Sequence, residues 1–174
     1  EYRAELERMK KEMEENRVYV RSIRPVRWEA EKGVVARKMR VEKDSSASGG
    51  AYVWTPGEIG GRGIVPGSVS WQLEVKDAGK YHLWGRVQAP TPEDDSFLVS
   101  LNVGAFLQSG TRGPLLMPRT DWHLGQSPNW TWREFPVDMT LPKGPVVLTL
   151  HTREDGAKID NLILTNDTTF QPEG

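Results

Sequence analysis

Three carboxylates near opposite ends of the sequence have the residue types and spacing to hold a hard metal ion. Glu29 and Glu31 stand two residues apart at the head of the first predicted strand, so both side chains point to one side of it. In the last predicted strand, residues 159–164, Asp160 shares a face with two leucines, and an inward carboxylate is costly unless it is paired or metal-bound. If these strands are neighbours, the carboxylates form an oxygen cage that suits calcium. Alternatively, the two glutamates are solvated and Asp160 caps a loop or pairs with a lysine.

Aromatic and charged side chains on predicted loops suggest a second kind of site. A sugar ring has an apolar C–H face and a rim of hydroxyls, which match a flat aromatic ring surrounded by charged groups. Two candidates follow a glycine-rich bend at residues 48–50, two lie within or at the end of a long loop, and three surround Gly156. These candidate sugar-binding residues are Tyr52, Trp54, Trp122, Trp130, Arg153, Glu154 and Lys158.

The seven tryptophans do not all share one environment. Trp71 has the phase of a core residue within an alternating strand, and Trp132 fits the core better than the surface. Trp84 points outward from its strand, toward a second sugar surface or toward the N-terminal helix. Trp122 and Trp130 are predicted to face a ligand, whereas the alternation leaves core and ligand equally open for Tyr52 and Trp54.

The sequence offers little for catalysis. His82, His123 and His151 lack the spacing of metal ligands, and neither a nucleophile elbow nor a phosphate-binding loop is present. Residues 93–95 form an acidic run that could in principle cut glycosides, but a solvated loop is the simpler interpretation. The sequence therefore predicts a protein that binds its ligand without being an enzyme.

The elements that must position these residues are short strands. Alternating apolar and polar residues predict strands near residues 69–75, 81–87, 97–103 and 146–150, with glycine-containing turns between them. Several short strands without a second helical pattern predict an all-β, two-sheet sandwich. Residues 104–130 contain few strand-like runs, so a long surface loop is expected there.

The first 20 residues follow a different pattern. They contain neither glycine nor proline, and Tyr2, Leu6, Met9 and Met13 recur at helical spacing. We predict a charged N-terminal helix and linker over residues 1–21, followed by the sandwich over residues 22–174. The apolar stripe either packs on its own sandwich or, over about two heptads, supports a weak helix-mediated oligomer.

Composition excludes several classes of partner. The formal net charge of the 174-residue chain is −1, which provides no field for nucleic acid or acidic membranes. No run of about 18 apolar residues is present, so no membrane insertion is expected. Because cysteine is absent, disulfide frameworks and thiolate metal sites are excluded as well.

Seven blocks of sequence carry a resemblance to a known family. In order they are WEAEKG, DSSASGGAYVW, VKDAGKYHLWGRV, DSFLVSLN, NWTW, LPKG and REDGAKIDNLILTND. Together they resemble carbohydrate-binding modules of the family 6 and family 35 type, which are galactose-binding-like jelly rolls. The resemblance covers roughly residues 26–172 and leaves out the helix.

This resemblance implies a β-jelly roll, a structural calcium ion and a sugar site on loops at one end of the sandwich. It implies that Glu29, Glu31 and Asp160 ligate the calcium ion, that Trp130 stacks on the sugar, and that an aromatic after the glycine-rich bend faces it. The position of Lys158 is often asparagine in those modules, and Lys158 with Arg153 would also suit an acidic or sulfated sugar.

The expected function is non-catalytic binding of a polysaccharide or oligosaccharide by a secreted or cell-surface protein, with a catalytic domain of the parent protein as a possible partner. The alternative is a structural or assembly domain whose helix mediates packing or oligomerisation.

Overall fold

The fold is a two-sheet β-sandwich preceded by one α-helix. The computed structural model describes residues 2–36, 38–56, 67–105 and 113–173, without the side chain of Asp94. The helix, α1, spans Tyr2–Glu15. The strands of the described residues are β1 Val18–Val20, β2 Val26–Glu29, β3 Val34–Ala36, β4 Arg40–Lys43, β5 Ala51–Trp54, β6 Ser68–Val75, β7 Gly79–Ala89, β8 Ser96–Val103, β9 Leu115–His123, β10 Ser127–Glu134, β11 Met139–Leu141, β12 Gly144–Thr152 and β13 Lys158–Thr165.

The strands form a six-stranded and a seven-stranded sheet. The first has the order β1-β6-β12-β8-β9, with β3 also pairing with β6. The second has the order β10-β7-β13-β5-β4, with β11 on β7 and β2 on β13. All these pairs are antiparallel except β1–β6. The predicted all-β sandwich is confirmed.

The inward faces of the predicted strands build the core. Val69, Trp71, Leu73 and Val75 of β6 are buried, as the alternation predicts, and the inward residues of β7 and β12 are buried with them. Val103, at the end of β8, is only half-buried. The period-two pattern therefore identifies the core side of the long central strands.

The helix is shorter than the first 20 residues suggest. It ends at Glu15, where Asn16 donates from its side-chain amide to the carbonyl oxygen of Glu12 at 3.1 Å. Strand β1 pairs in parallel with β6, and Val18 and Val20 are buried in the hydrophobic core. The predicted helix-and-linker segment, residues 1–21, thus contains the first strand of the sandwich.

The apolar stripe of α1 packs on its own sandwich. Met13 is buried against Val34 and Val147, and Met9 packs beside it. Tyr2 at the start of the stripe is exposed. No helix of the described residues has the length and apolar character needed to span a membrane.

The prediction of a long loop over residues 104–130 is wrong for residues 115–123 and 127–130, which belong to strands β9 and β10. Strand β9 pairs with β8, and β10 pairs with β7 across a register shift. Because β9 is an edge strand with mostly exposed side chains, it lacks the apolar alternation that marks a half-buried strand. It also contains Pro118, which edge strands tolerate. Residues 106–112 of the predicted loop lie outside the described residues.

Candidate functional site

The acidic residues predicted to meet do form a cluster. Strand β13 pairs directly with β2, which brings Asn161 opposite Glu29. Glu31 lies not on the strand, as its spacing predicts, but in the 3₁₀ turn Ala30–Lys32 that follows it. Ligand oxygens of Glu29, Glu31 and Asp160 lie within 4.8 Å of one another. These three residues, the acidic cluster, could hold a metal ion.

Hydrogen bonds fix the acidic cluster from two directions. Asp160 is fully buried, and the backbone N–H of Ser48 donates to its Oδ1 at 2.9 Å and its Oδ2 at 2.8 Å. Arg86 forms an ion pair with the same carboxylate. The hydroxyl of Ser48 donates to Glu29 Oε2 at 2.8 Å. The loop at residues 44–50 therefore closes over the cluster.

The chemistry of the remaining oxygens fits a cation. Glu29 Oε1 and Glu31 Oε1 are buried without a hydrogen-bond partner among the described residues. Gly49 packs closely against both glutamates: a Cβ at this position would lie 2.7 Å from Glu31 Oε2 and 3.0 Å from Glu29 Oε1. Buried carboxylate oxygens without donors are costly, and oxygen ligands are what hard divalent cations prefer. The residues present therefore fit a bound metal ion.

The pKa values of two residues of the acidic cluster are raised, which indicates that their negative charges are poorly compensated. Burial raises the pKa of Asp160, although hydrogen bonds from Ser48 and the charge of Arg86 oppose the rise. Burial also raises the pKa of Glu31, and the neighbouring charges of Glu29 and Asp160 add to the effect. Negative charge in the cluster is therefore only partly compensated by the protein itself.

Tyr52, Trp54, Trp130 and Lys158 come together on the outer face of the seven-stranded sheet and form the aromatic cluster. The ring centroid of Tyr52 is 5.9 Å from that of Trp54 and 5.7 Å from that of Trp130, both edge to face. The Lys158 Nζ lies 4.9 Å from the Tyr52 ring centroid and 5.1 Å from that of Trp54. Both indoles and the lysine are half-buried, whereas Tyr52 is only 5% exposed.

The indole of Trp130 is held in place by the same loop that closes the acidic cluster. Its Nε1 donates to the hydroxyl of Ser46 at 2.9 Å, and the guanidinium carbon of Arg86 lies 5.5 Å from its ring centroid. Arg86 thus contacts both Trp130 and Asp160. The acidic and aromatic clusters are consequently two parts of one connected region.

Two predicted sugar-binding residues have other neighbours. Arg153 donates to the hydroxyl of Ser96 at 2.8 Å and lies 3.4 Å from a carboxylate oxygen of Asp121. Glu154 accepts hydrogen bonds from the backbone N–H of Asp95 and from Ser96. These contacts tie the loop between β12 and β13 to the ends of β8 and β9.

The prediction that Trp122 faces a ligand is wrong. Trp122 is fully buried in β9, opposite Phe97 of β8, and its ring lies 5.6 Å from that of Phe135. The opposite sheet makes room for it at Gly85, where a Cβ would be 2.6 Å from the indole. A core tryptophan needs such a space, and only glycine at this position provides it.

Sequence reasoning missed three residues of this region. Arg86 is the link between the clusters, and its outward phase on β7 was the available signal. Trp132, predicted to be a core residue, is half-buried on the outer face, opposite Arg86 in the register of β10 and β7. Ser46 gave no signal, because its role follows from the shape of the loop.

Comparison with known proteins agrees with this architecture. No family model and no curated protein matches the chain. Among solved structures, a family 35 carbohydrate-binding module from Clostridium thermocellum matches with a TM-score of 0.58 and 22% identity, over 81% of this chain and 97% of that one.

Two further structures extend the comparison. The C-terminal family 6 module of a marine laminarinase from Zobellia galactanivorans has a TM-score of 0.57 and 17% identity, over 82% of this chain and 100% of the module. A Podospora anserina β-(1,4)-mannanase with a family 35 module has a TM-score of 0.61 and 19% identity, over 85% of this chain but only 29% of the mannanase. The chain therefore has the jelly-roll sandwich fold of family 35 and family 6 carbohydrate-binding modules.

Proposed function

We propose that this chain is a non-catalytic carbohydrate-binding domain and that the aromatic cluster is its sugar site. One observation carries the proposal: the half-buried indoles of Trp54 and Trp130 flank Tyr52 on an outer sheet face, with the ammonium group of Lys158 beside two of the rings. Such a surface offers apolar area to the C–H face of a pyranose and charged donors to its hydroxyls.

Each residue of the cluster has a distinct part in this proposal. The indoles of Trp54 and Trp130 supply the apolar platform, and Lys158 donates charge-assisted hydrogen bonds to hydroxyl oxygens. Burial raises the pKa of Tyr52 above its ordinary value of 10.0. Its phenol is therefore protonated at neutral pH, as an unshifted phenol would be, and can donate a hydrogen bond. Arg153 and Glu154 lie on the loop before β13, and their contact with a longer ligand stays a prediction.

The acidic cluster is the proposed site of a structural calcium ion, with Glu29, Glu31 and Asp160 as ligands. When bound, the ion would supply positive charge that these buried carboxylates otherwise lack. Within the protein, Ser48 and Arg86 orient Asp160, and the loop at residues 44–50 couples that carboxylate to Trp130. Calcium is thus proposed to support the shape of the sugar site.

The solved structures with this fold suggest the setting. One belongs to a mannanase and another to a laminarinase, so both accompany enzymes that act on polysaccharides. We propose that this domain likewise directs an appended catalytic domain or a cell-surface protein to a polysaccharide, outside the cytoplasm.

The test is calorimetric titration with a panel of neutral, acidic and sulfated polysaccharides that includes mannan and laminarin. Saturable binding to at least one of them is expected, without release of reducing ends. Trp130→Ala should weaken that binding at least ~30-fold, about 2 kcal/mol, as expected when a central aromatic contact is removed.

Trp84→Ala is the matched control, because Trp84 is another half-buried tryptophan on the same sheet face. In the register of β7 and β10 it stands opposite Glu134, outside the aromatic cluster. Its affinity should equal that of the unmodified protein. Absence of binding to every polysaccharide in the panel, or release of reducing ends from any of them, would overturn the proposal.

A further inference from the structure

A pocket of about 230 Å³ lies beside the aromatic cluster on the outer face of the seven-stranded sheet. Its walls come from four strands, β2, β7, β10 and β13, from the loop at residues 44–50 and from Glu173. The residues that matter are Arg27, Ser46, Ser48, Arg86, Trp132 and Asn161. Because drug-sized ligands occupy pockets of roughly 300–1,000 Å³, this one suits a single sugar ring rather than a longer segment.

One wall of the pocket repeats the chemistry of the aromatic cluster. Trp132 is half-buried, and the guanidinium carbon of Arg27 lies 5.2 Å from its ring centroid. Stacking of this kind fixes the orientation of the indole and by itself uses none of the five N–H donors of the arginine. An aromatic surface and hydrogen-bond donors are therefore combined again.

The floor of the pocket contains a buried amide. Asn161 is only 1% exposed, and both its Oδ1 and its Nδ2 are buried without a hydrogen-bond partner among the described residues. A hydroxyl group can accept from the amide nitrogen and donate to the amide oxygen, so one hydroxyl matches both atoms. An unpaired amide at this depth points to a hydroxyl-bearing ligand.

The pocket is continuous with the aromatic cluster. Ser46 lines it and also accepts the hydrogen bond from Trp130 Nε1 at 2.9 Å. Arg86 lines it as well, lies 5.5 Å from the Trp130 ring centroid, and stands opposite Trp132 in the strand register. A ligand on Trp130 thus reaches the mouth of this pocket.

The charges around the pocket favour a neutral ligand. Arg86 is paired with the buried Asp160, and Arg27 shares the pocket with Glu173. Two positive side chains are therefore balanced by two negative ones. A carboxylate or sulfate would gain little from this arrangement, whereas neutral hydroxyls can use both donors and acceptors.

We propose that this pocket is a second sugar subsite, which binds a neutral residue adjacent to the one on Trp130. The ligand is then an oligosaccharide segment of at least two residues rather than a single sugar. The inference rests on the proposed carbohydrate binding and specifies its ligand.

The test compares ligands of different length by calorimetry on the full chain. The probes are mannose, mannobiose and mannotetraose; glucose, laminaribiose and laminaritetraose; and the matching series from any other polysaccharide that binds. The tetrasaccharide is expected to bind at least about tenfold more tightly than the monosaccharide. Trp132→Ala should remove most of that gain and leave monosaccharide affinity unchanged, which also shows that the variant is folded.

The variants separate the two proposals. Trp84→Ala should leave both affinities unchanged, and Trp130→Ala should weaken both. Equal affinity for monosaccharide and tetrasaccharide, or full retention of the length dependence in Trp132→Ala, would overturn the second subsite while leaving the sugar site intact. Failure of every probe and every polysaccharide to bind would overturn the carbohydrate function itself.

Discussion

The tryptophans of this chain show how position within a strand decides what a residue does. Trp71 and Trp122 are almost fully buried and face the opposite sheet, and Trp122 fills the space left by Gly85. Trp54 and Trp130 are half-buried on the outer face, where they contact Tyr52. The same side chain therefore serves packing in one place and is available to a ligand in the other.

Trp122→Ala should lower the free energy of unfolding by about 3–5 kcal/mol, because it leaves a large cavity between the sheets. Trp130→Ala should lower it by only about 1 kcal/mol, since that indole is half-exposed and contacts a few side chains. Urea unfolding of both variants measures the difference. A larger loss for Trp130→Ala than for Trp122→Ala would mean that the two roles are reversed.

Asp95 is a buried carboxylate outside the proposed sugar site. It is 4% exposed, and its Oδ2 lies 3.4 Å from His123 Nε2. Burial raises its pKa most strongly, and the nearby Glu154 raises it further against the lowering effect of His123. The folded state therefore binds the proton of Asp95 more tightly than the unfolded state does.

This shift predicts how stability depends on pH. The stabilising contribution of Asp95 is fully present below the ordinary aspartate pKa of about 4 and is lost as the pH rises through the higher folded-state value. Relative to Asp95→Asn, the native protein should therefore lose stability as the pH rises above about 4. Parallel melting-temperature profiles of the two proteins would contradict the raised pKa.

At the scale of elements, the loop at residues 44–50 joins the two clusters. Gly50 has a φ of 83° and its N–H donates to the carbonyl oxygen of Ala47, which folds the loop back between β4 and β5. In this position Ser48 reaches Asp160, and Ser46 reaches Trp130. Order in the loop should consequently depend on occupancy of the acidic cluster.

Calcium should raise the melting temperature of the metal-free protein. An ion at 100 times its Kd stabilises the folded state by about 2.7 kcal/mol, which corresponds to roughly 5–10 °C for a chain of this size. Gly49→Ala should reduce this shift without removing a ligand, because the new Cβ would lie 2.7 Å from Glu31 Oε2. The matched control is Ser45→Ala, because Ser45 is exposed in the same loop. Gly50 is not a suitable control, because its positive φ would strain any other residue.

Scanning calorimetry with calcium and with EDTA provides the measurement. Equal melting temperatures in the two conditions would contradict the metal site. A full calcium response in Gly49→Ala would contradict the proposed contact between Gly49 and the glutamates.

How far the sequence predicts these elements depends on burial. Alternation identifies β6, β7 and β12, because each has one face in the core. Alternation fails for β9, because most side chains of this edge strand are exposed. Without that strand, the sequence could not predict that Trp122 is buried in the core. Pairing of β2 with β13 is what unites the acidic cluster, and such a long-range contact follows from topology rather than from local pattern.

In the whole molecule, the two outer faces of the sandwich have different uses. Met13 of α1 packs against Val34 and Val147, which lie on the outer face of the six-stranded sheet. The aromatic cluster and the adjoining pocket lie on the outer face of the seven-stranded sheet. The helix therefore leaves uncovered the outer face of the seven-stranded sheet, where we propose that the sugar binds.

The indole N–H signals of the seven tryptophans test the location of the sugar site most directly. With each signal assigned by substitution, a binding oligosaccharide is titrated and the signals are followed by ¹⁵N–¹H NMR. Signals of Trp54 and Trp130 should shift in a saturable way, together with that of Trp132, while those of the buried Trp28, Trp71 and Trp122 stay in place. Saturable binding that leaves Trp54 and Trp130 unchanged would contradict the assignment of the aromatic cluster as the sugar site.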